Sequence, residues 1–190
     1  MNLNSLKMFK EFVYADLFRH SGSTGLRIFL KSYFKIPGFR YMFWFRAVNY
    51  CVNVNAVLAL IARARLRHYT FKYGIMIPYT TQIDKGFYIG HFSCIVISSE
   101  VVIGKNVNIS QGVTIGKSFR GERQGAAVIG DEVYIAPGAK IVGKIIIGRN
   151  VAIGANAVVI KDVPENSVAG GIPAKIISMN GAEGYINNKV

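Results

Sequence analysis

Carboxylates, histidines and cysteines are all scarce in this 190-residue sequence: ten Asp and Glu stand against 23 Lys and Arg, with three His and two Cys. The cysteines, Cys51 and Cys94, lie far apart and lack metal-ligand spacing, so no zinc site is expected and both read as buried thiols of a reducing compartment. None of the His, Cys, Asp or Glu spacings offers a metal a place, and no metal is expected. A long apolar run is missing too. The most apolar stretch, Ala47 to Ala62, is interrupted by Asn49, Asn53 and Asn55, which makes it too short and polar for a membrane span. Lys7, Lys10, Glu11 and Asp16 break the N-terminal region and leave no secretory h-region, so the expectation is a cytoplasmic protein. Disorder is excluded by 51% hydrophobic against 17% charged residues.

The net charge of +13 is distributed unevenly. Residues 1 to 75 hold twelve basic and two acidic residues, or +10; the remainder holds eleven and eight, or +3. The chain therefore divides near Tyr73 and Gly74 into a basic, aromatic-rich region (1–74) and a remainder from residue 75 on. The first region reads as helical. Leu6, Phe9, Val13 and Leu17 have amphipathic spacing, Ser21 to Gly25 is a break, and a short helix follows from Leu26 to Phe34. After Pro37 and Gly38 a longer helical stretch runs past Trp44 and Leu66, with a break near Asn53 to Asn55. Its interleaved cations and aromatics fit a helical cap or subunit contact with solvated charges. Second to that, they fit peripheral contact with an anionic membrane face. No nucleic-acid-reading motif accompanies them, and no nucleic-acid partner is expected.

The second region is organised by a period of six. Isoleucine recurs at Ile77, Ile83 and Ile89, again at Ile97, Ile103, Ile109 and Ile115, and then from Ile129 through Ile135, Ile141, Ile147 and Ile153 to Val159. On a helix, steps of six would scatter these side chains over three faces, at about 240° per step. In strands an even step returns to the same side. A hexapeptide period is thus the signature of a parallel β-solenoid, whose coils are stable only when stacked. The fold class expected is mainly β, a parallel β-helix with an N-terminal α-helical region.

Chemistry is expected where the period breaks, because a uniform solenoid offers no cleft. Between Ile89 and Ile97 two residues are inserted at a corner that holds His91, the repeat region's single histidine. Between Ile115 and Ile129 eight residues are inserted, giving a protruding loop at 117–127. Taken alone, a histidine at a turn fits a capping role at least as well as catalysis, and a loop can be a plain insertion.

The run Ile103-Gly104-Lys105-Asn106-Val107-Asn108-Ile109-Ser110-Gln111-Gly112-Val113-Thr114-Ile115-Gly116, with Lys161-Asp162-Val163-Pro164-Glu165-Asn166 and Gly171-Ile172-Pro173-Ala174-Lys175 after it, resembles the hexapeptide-repeat acetyltransferases. Within them it is most similar to the serine O-acetyltransferase-like branch, which includes acetyltransferases of capsular and surface polysaccharides. Ile36-Pro37-Gly38-Phe39-Arg40-Tyr41 and Arg67-His68-Tyr69 resemble the polysaccharide-associated members.

This resemblance covers residues 75–178, leaving 179–190 as a C-terminal tail, and implies a left-handed β-helix of triangular section and a homotrimer, with acetyl-CoA as co-substrate in the groove between subunits. It implies His91 as general base, Gly116, Ala136, Pro137 and Ala155 against the pantetheine arm, and Lys161 and Lys175 near the nucleotide. Imidazole suits the role, because it titrates near neutrality and can take a hydroxyl proton during attack on the thioester. The serine-specific groups of the branch are replaced here by Met76, Gly90, Gly125 and Ala126. The expected acceptor is on that ground a hydroxyl of a sugar or surface polysaccharide. A serine O-acetyltransferase of cysteine biosynthesis and a non-catalytic hexapeptide scaffold are the alternatives.

Overall fold

The computed structural model describes residues 3–190. Four helices come first: α1 (Leu6–Ser21), α2 (Leu26–Lys35), α3 (Pro37–Cys51) and α4 (Ala56–Tyr73). Local chemistry sets their ends. The Ser5 hydroxyl accepts from the Met8 N–H at the start of α1, Pro37 occupies the first turn of α3, and the Asn55 side chain accepts from the N–H groups of Val57 and Leu58 at α4. Gly22 and Gly74 close α1 and α4 in the left-handed conformation, which a side chain would resist.

From Ile75 the chain winds into a parallel β-helix with three faces. The first face stacks Ile75–Met76, Ile95–Ile97, Thr114–Gly116, Lys140–Val142 and Val158–Val159. The second stacks Gln82–Ile83, Val102–Ile103, Val128–Ile129 and Ile146–Ile147. The third stacks Tyr88–Ile89, Asn108–Ile109, Tyr134–Ile135, Ala152–Ile153 and Val168–Gly171, and ends with the antiparallel strand Ala174–Ser178. Register aligns the repeating residues into ladders: Ile83, Ile103, Ile129 and Ile147 on the second face, and Ile89, Ile109, Ile135 and Ile153 on the third. All the period-six positions from Ile77 to Val159 are at most 3% exposed, so the repeat seen in the sequence is the core itself. Each such side chain contributes about 1.5–3 kcal/mol on burial.

Between the second and third faces, the turn takes one residue of positive φ in each coil: Gly86, Asn106, Glu132, Asn150 and Asn166. Asparagine and glycine tolerate that conformation best, and this is why they recur there. The Asn106 and Asn108 side chains also hold the C-terminal segment, donating to the carbonyls of Val190 and Tyr185. Ala182 and Ile186 pack with Ala152 over the third face, and Tyr185 stacks on Tyr134 at 4.4 Å.

The helices close the open end of the prism. Tyr41, Met42, Phe45 and Val48 of α3 and Leu66, Tyr69 and Tyr73 of α4 share one continuous core with the isoleucine ladders, as a terminal solenoid coil requires. Polar groups pin this junction. The Asp16 carboxylate, 1% exposed, accepts from Arg46 Nε at 2.9 Å and from the N–H groups of Gly86 and Phe87 at 2.9 and 3.0 Å. Arg46 also donates to the carbonyls of Ile83 and Asp84, so its buried charge is met on every side. Of the apolar residues in the second half of the helical region, Leu66 is buried, whereas Leu58, Leu60 and Ile61 are exposed.

Candidate active site

The corner joining the third face to the first contains the two-residue insertion. His91 and Phe92 are exposed there, and Ser93 and Cys94 follow with φ of 96° and 54°, two successive non-glycine residues in the left-handed region. Such backbone persists only where its surroundings hold it. Here the C-terminal end of α4 supplies the brace: Gly74 abuts the Cys94 N–H so closely that an added Cβ would lie 3.2 Å from it, and the Phe92 ring meets Tyr73 at 5.3 Å. Burial raises the Tyr73 phenol above its ordinary range, with Arg40 opposing. The helical region thus shapes the His91 corner directly. The sequence reading of Cys94 as a buried thiol is corrected, because the insertion turns it outward and it is exposed.

Backbone hydrogen bonds show what stacks along this edge. Gly90 N–H donates to Ile109 and Gly112 N–H to Ser93, which places Ser110 and Gln111 on the coil next to His91. Gly138 N–H donates to Gln111 and Asn156 N–H to Pro137, which continues the column through Ala136, Pro137 and Ala155. Lys175 pairs with Gly170 at the end of the same edge. Three coil steps separate His91 from Ala155, about 14 Å at the usual strand spacing. Ala136 is buried and Ala155 exposed, and neither carries a side chain long enough to obstruct the surface.

Gly116, Lys161 and the 117–127 loop lie elsewhere. They occupy the corner joining the first face to the second, across the width of the first face from His91. The loop is pinned at its base by reciprocal backbone bonds between Ser118 and Gly125, at 2.9 and 3.0 Å. Arg123 is tied to Asp162, whose carboxyl is held below its ordinary range by the Ile146 N–H and by Arg123. Arg120 is exposed and makes no ion pair among the described residues. The predicted site residues therefore form two columns flanking one face, and the chain does not bring them together by itself.

One further residue joins the His91 edge. The side-chain oxygen of Gln111 is buried without a hydrogen-bond partner in the chain. An orphaned acceptor at that position needs an explanation. In the sequence it was hidden inside the Ser110-Gln111-Gly112 motif, with no charge to single it out. Among the described residues there is no group of three His, Cys, Asp or Glu able to hold a metal, and no helix is long and apolar enough to cross a membrane.

Comparison with known proteins follows the same geometry. Residues 126–161 match the bacterial transferase hexapeptide family, six repeats. The chain is 40% identical over 121 residues to a serine acetyltransferase of Bacillus licheniformis and 42% identical over 120 residues to one of Staphylococcus aureus; these matches cover 64% and 63% of this chain. The chain spans a little over half the length of these relatives, 56% in each case.

Among solved structures, the serine acetyltransferase of Brucella abortus superposes with a TM-score of 0.77 at 25% identity, over 93% of this chain and 71% of that one. A serine acetyltransferase in complex with CoA gives 0.73 at 27%, over 90% and 71%. That of Neisseria gonorrhoeae in complex with serine gives 0.72 at 27%, over 92% and 71%. The chain thus has the hexapeptide repeat of bacterial transferases and serine acetyltransferase relatives. This finding corrects the expected sugar or polysaccharide acceptor. That expectation rested on Met76, Gly90, Gly125 and Ala126, of which Gly125 and Ala126 lie across the first face from the chain's own His91.

Proposed function

We propose that this chain transfers the acetyl group of acetyl-CoA to the hydroxyl of serine, with His91 as general base. The observation that carries the reading is the 40% identity to a serine acetyltransferase over 121 residues, a stretch long enough to span the repeat domain. In this reading the coils wind left-handed, residues 75–178 form the catalytic domain, 1–74 its cap and 179–190 a tail. Three chains assemble so that the His91 edge of one faces the loop edge of the next. Gly116, Lys161 and Arg120 then reach a site whose other wall is His91, Gln111, Ala136, Pro137, Ala155 and Lys175. The split of these residues between two edges of one face supports that arrangement.

The chemistry proceeds by addition and elimination. His91 takes the hydroxyl proton as the serine oxygen attacks the thioester carbonyl, forming the carbon–oxygen bond. Backbone N–H groups stabilise the tetrahedral oxyanion, which small side chains leave accessible. The carbon–sulfur bond breaks, the proton on His91 passes to the departing thiolate, and O-acetylserine and CoA result. Gln111 supplies the acceptor for the serine ammonium group, which gives its unpartnered oxygen a donor. The small side chains of Ala136 and Ala155 leave room for the pantetheine arm along the edge, and Lys175 and Lys161 act as point charges toward the phosphates.

The test follows thiol release from acetyl-CoA with serine, for the natural chain and His91→Ala. Serine-dependent release is expected, and the variant should lose about 10²- to 10⁴-fold in kcat. Absence of serine-dependent release, or an unimpaired variant, would overturn the reading.

A further inference from the structure

The outer surface of α4 departs from what a solvated helix shows. Its buried residues, Ala59, Ala62, Leu66, Tyr69 and Tyr73, form one narrow stripe. On the opposite side, at 100° per residue, lie Val57, Leu60, Ile61 and Phe71, and of these Val57, Leu60 and Phe71 are 65%, 69% and 72% exposed. Arg63 and Arg67 flank this outward strip on one side, Arg65 and Lys72 on the other. Helix α2 carries a related strip with cations on one flank only. Leu26, Leu30 and Phe34 recur every four residues on its exposed surface, beside Arg27, Lys31 and Lys35.

No carboxylate balances these charges. Between Asp16 and Asp84 the sequence has no acidic residue at all, while it has ten Lys and Arg. The ion pairs found among the described residues use none of the seven cations just named. Two of the arginines instead rest against aromatic rings: Arg67 lies over Phe71 at 5.5 Å and Arg63 over Tyr79 at 5.0 Å.

We infer that the outer face of α4 docks on an anionic lipid surface. An apolar centre with cations on both flanks is the arrangement of a helix lying in the membrane interface, its apolar side chains among the acyl chains and its cations at the headgroups. A second copy of the chain in a two-fold contact is disfavoured as occupant, because its matching face brings like charge. Moreover, five of its ten carboxylates, at Glu11, Asp16, Glu100, Glu132 and Asp162, are already engaged in ion pairs. Nucleic acid would use the cations but leave the bulky apolar strip without a partner. The inference is independent of the serine reading, and its readout is not activity.

The experiment is flotation of the full chain with vesicles of phosphatidylcholine alone and of equal parts phosphatidylcholine and phosphatidylglycerol. Binding to the mixed vesicles alone is expected. Arg63→Gln/Arg65→Gln/Arg67→Gln should weaken it about five-fold for each cation, on the order of 100-fold together. Leu60→Ser/Phe71→Ser, at exposed positions that leave the core intact, should abolish the binding that survives high salt. Failure to bind mixed vesicles, equal binding to neutral ones, or binding unaltered in both variants overturns the inference. So does concentration-dependent self-association of the natural chain, lost in Leu60→Ser/Phe71→Ser, without vesicle binding.

Discussion

If the His91 edge of one chain meets the loop edge of the next, two inactive variants should restore activity when mixed. The first variant is His91→Ala. In the second, residues 119–124 are replaced by a two-residue Asn-Gly turn, which suits the reciprocally bonded Ser118–Gly125 pair at the base of the loop. Each alone leaves every site of a closed ring defective. In mixed trimers a competent site needs its histidine from the loop variant and its loop from the His91 variant. With equal amounts and random assembly, each of those conditions is met half the time, so about a quarter of all sites are complete. Co-expression followed by thiol-release assays should therefore give about a quarter of the natural chain's activity per site. Two separately purified variants combined without dissociation should give none. If histidine and loop served the same chain's site, no mixture would recover activity, and the composite arrangement would be refuted.

Other consequences can be measured on the chain alone. Asp16→Ala leaves the Arg46 guanidinium buried without its counter-ion and should cost about 3–5 kcal/mol in urea unfolding at fixed protein concentration, whereas Asp16→Leu/Arg46→Met, which removes the charge but leaves the Gly86 and Phe87 N–H groups without their acceptor, should recover only part of it. A loss below about 1 kcal/mol for the single variant would contradict the junction described. Burial holds the His20 imidazole below its ordinary pKa, with the Asp16 carbonyl and carboxylate opposing. The unfolded chain therefore binds the proton first, so this contribution is complete above about pH 6.5 and is lost as pH falls below it. Melting temperatures from pH 8 to 5 should drop less steeply in His20→Gln, and parallel curves would rule the effect out. Gln111→Leu removes a buried, unpartnered oxygen; stability should hold or rise by about 1 kcal/mol while turnover with serine falls roughly ten-fold. Unchanged kinetics would free Gln111 of any role.

The isoleucine ladders were legible because every sixth residue is a core position and strand geometry admits no other reading of an even period. The break from Ser21 to Gly25 and the one near Asn53 to Asn55 were legible because turn and cap chemistry is local. Asp16 was not legible. Its partners, Arg46, Gly86 and Phe87, are 30 to 71 residues away, and only the packing of α1 on the first coils joins them. Nor was it legible that on α4 Leu66 faces inward and Leu60 outward, because single-residue hydrophobicity does not reveal which side of a helix has a neighbour. The two breaks in the period pointed to His91 and the loop as special, but not that a whole face separates them.

That separation also leads to a last prediction. Serine recognition was sought at Gly125 and Ala126, where the resemblance places the groups concerned. In this chain Gly125 is bound into the base of the loop by Ser118, at a φ of 125°, and an added Cβ would meet Lys144 at 3.2 Å. The tip of the loop is where side chains are free to reach a neighbour, and it carries two guanidinium groups. Arg123 is committed to Asp162, which leaves Arg120. A serine carboxylate is matched by a guanidinium fork, and such a charge-assisted pair contributes about 1.5–3 kcal/mol. Arg120→Gln should then lower kcat/KM for serine by about 10- to 100-fold while leaving KM for acetyl-CoA unchanged. Arg120→Lys should recover only part of the loss, since an ammonium lacks the fork. Equal effects on both substrates would point to a loop that has lost its shape. No effect on either would place the carboxylate outside the reach of this loop, and the assignment of Arg120 would fall while that of His91 stood.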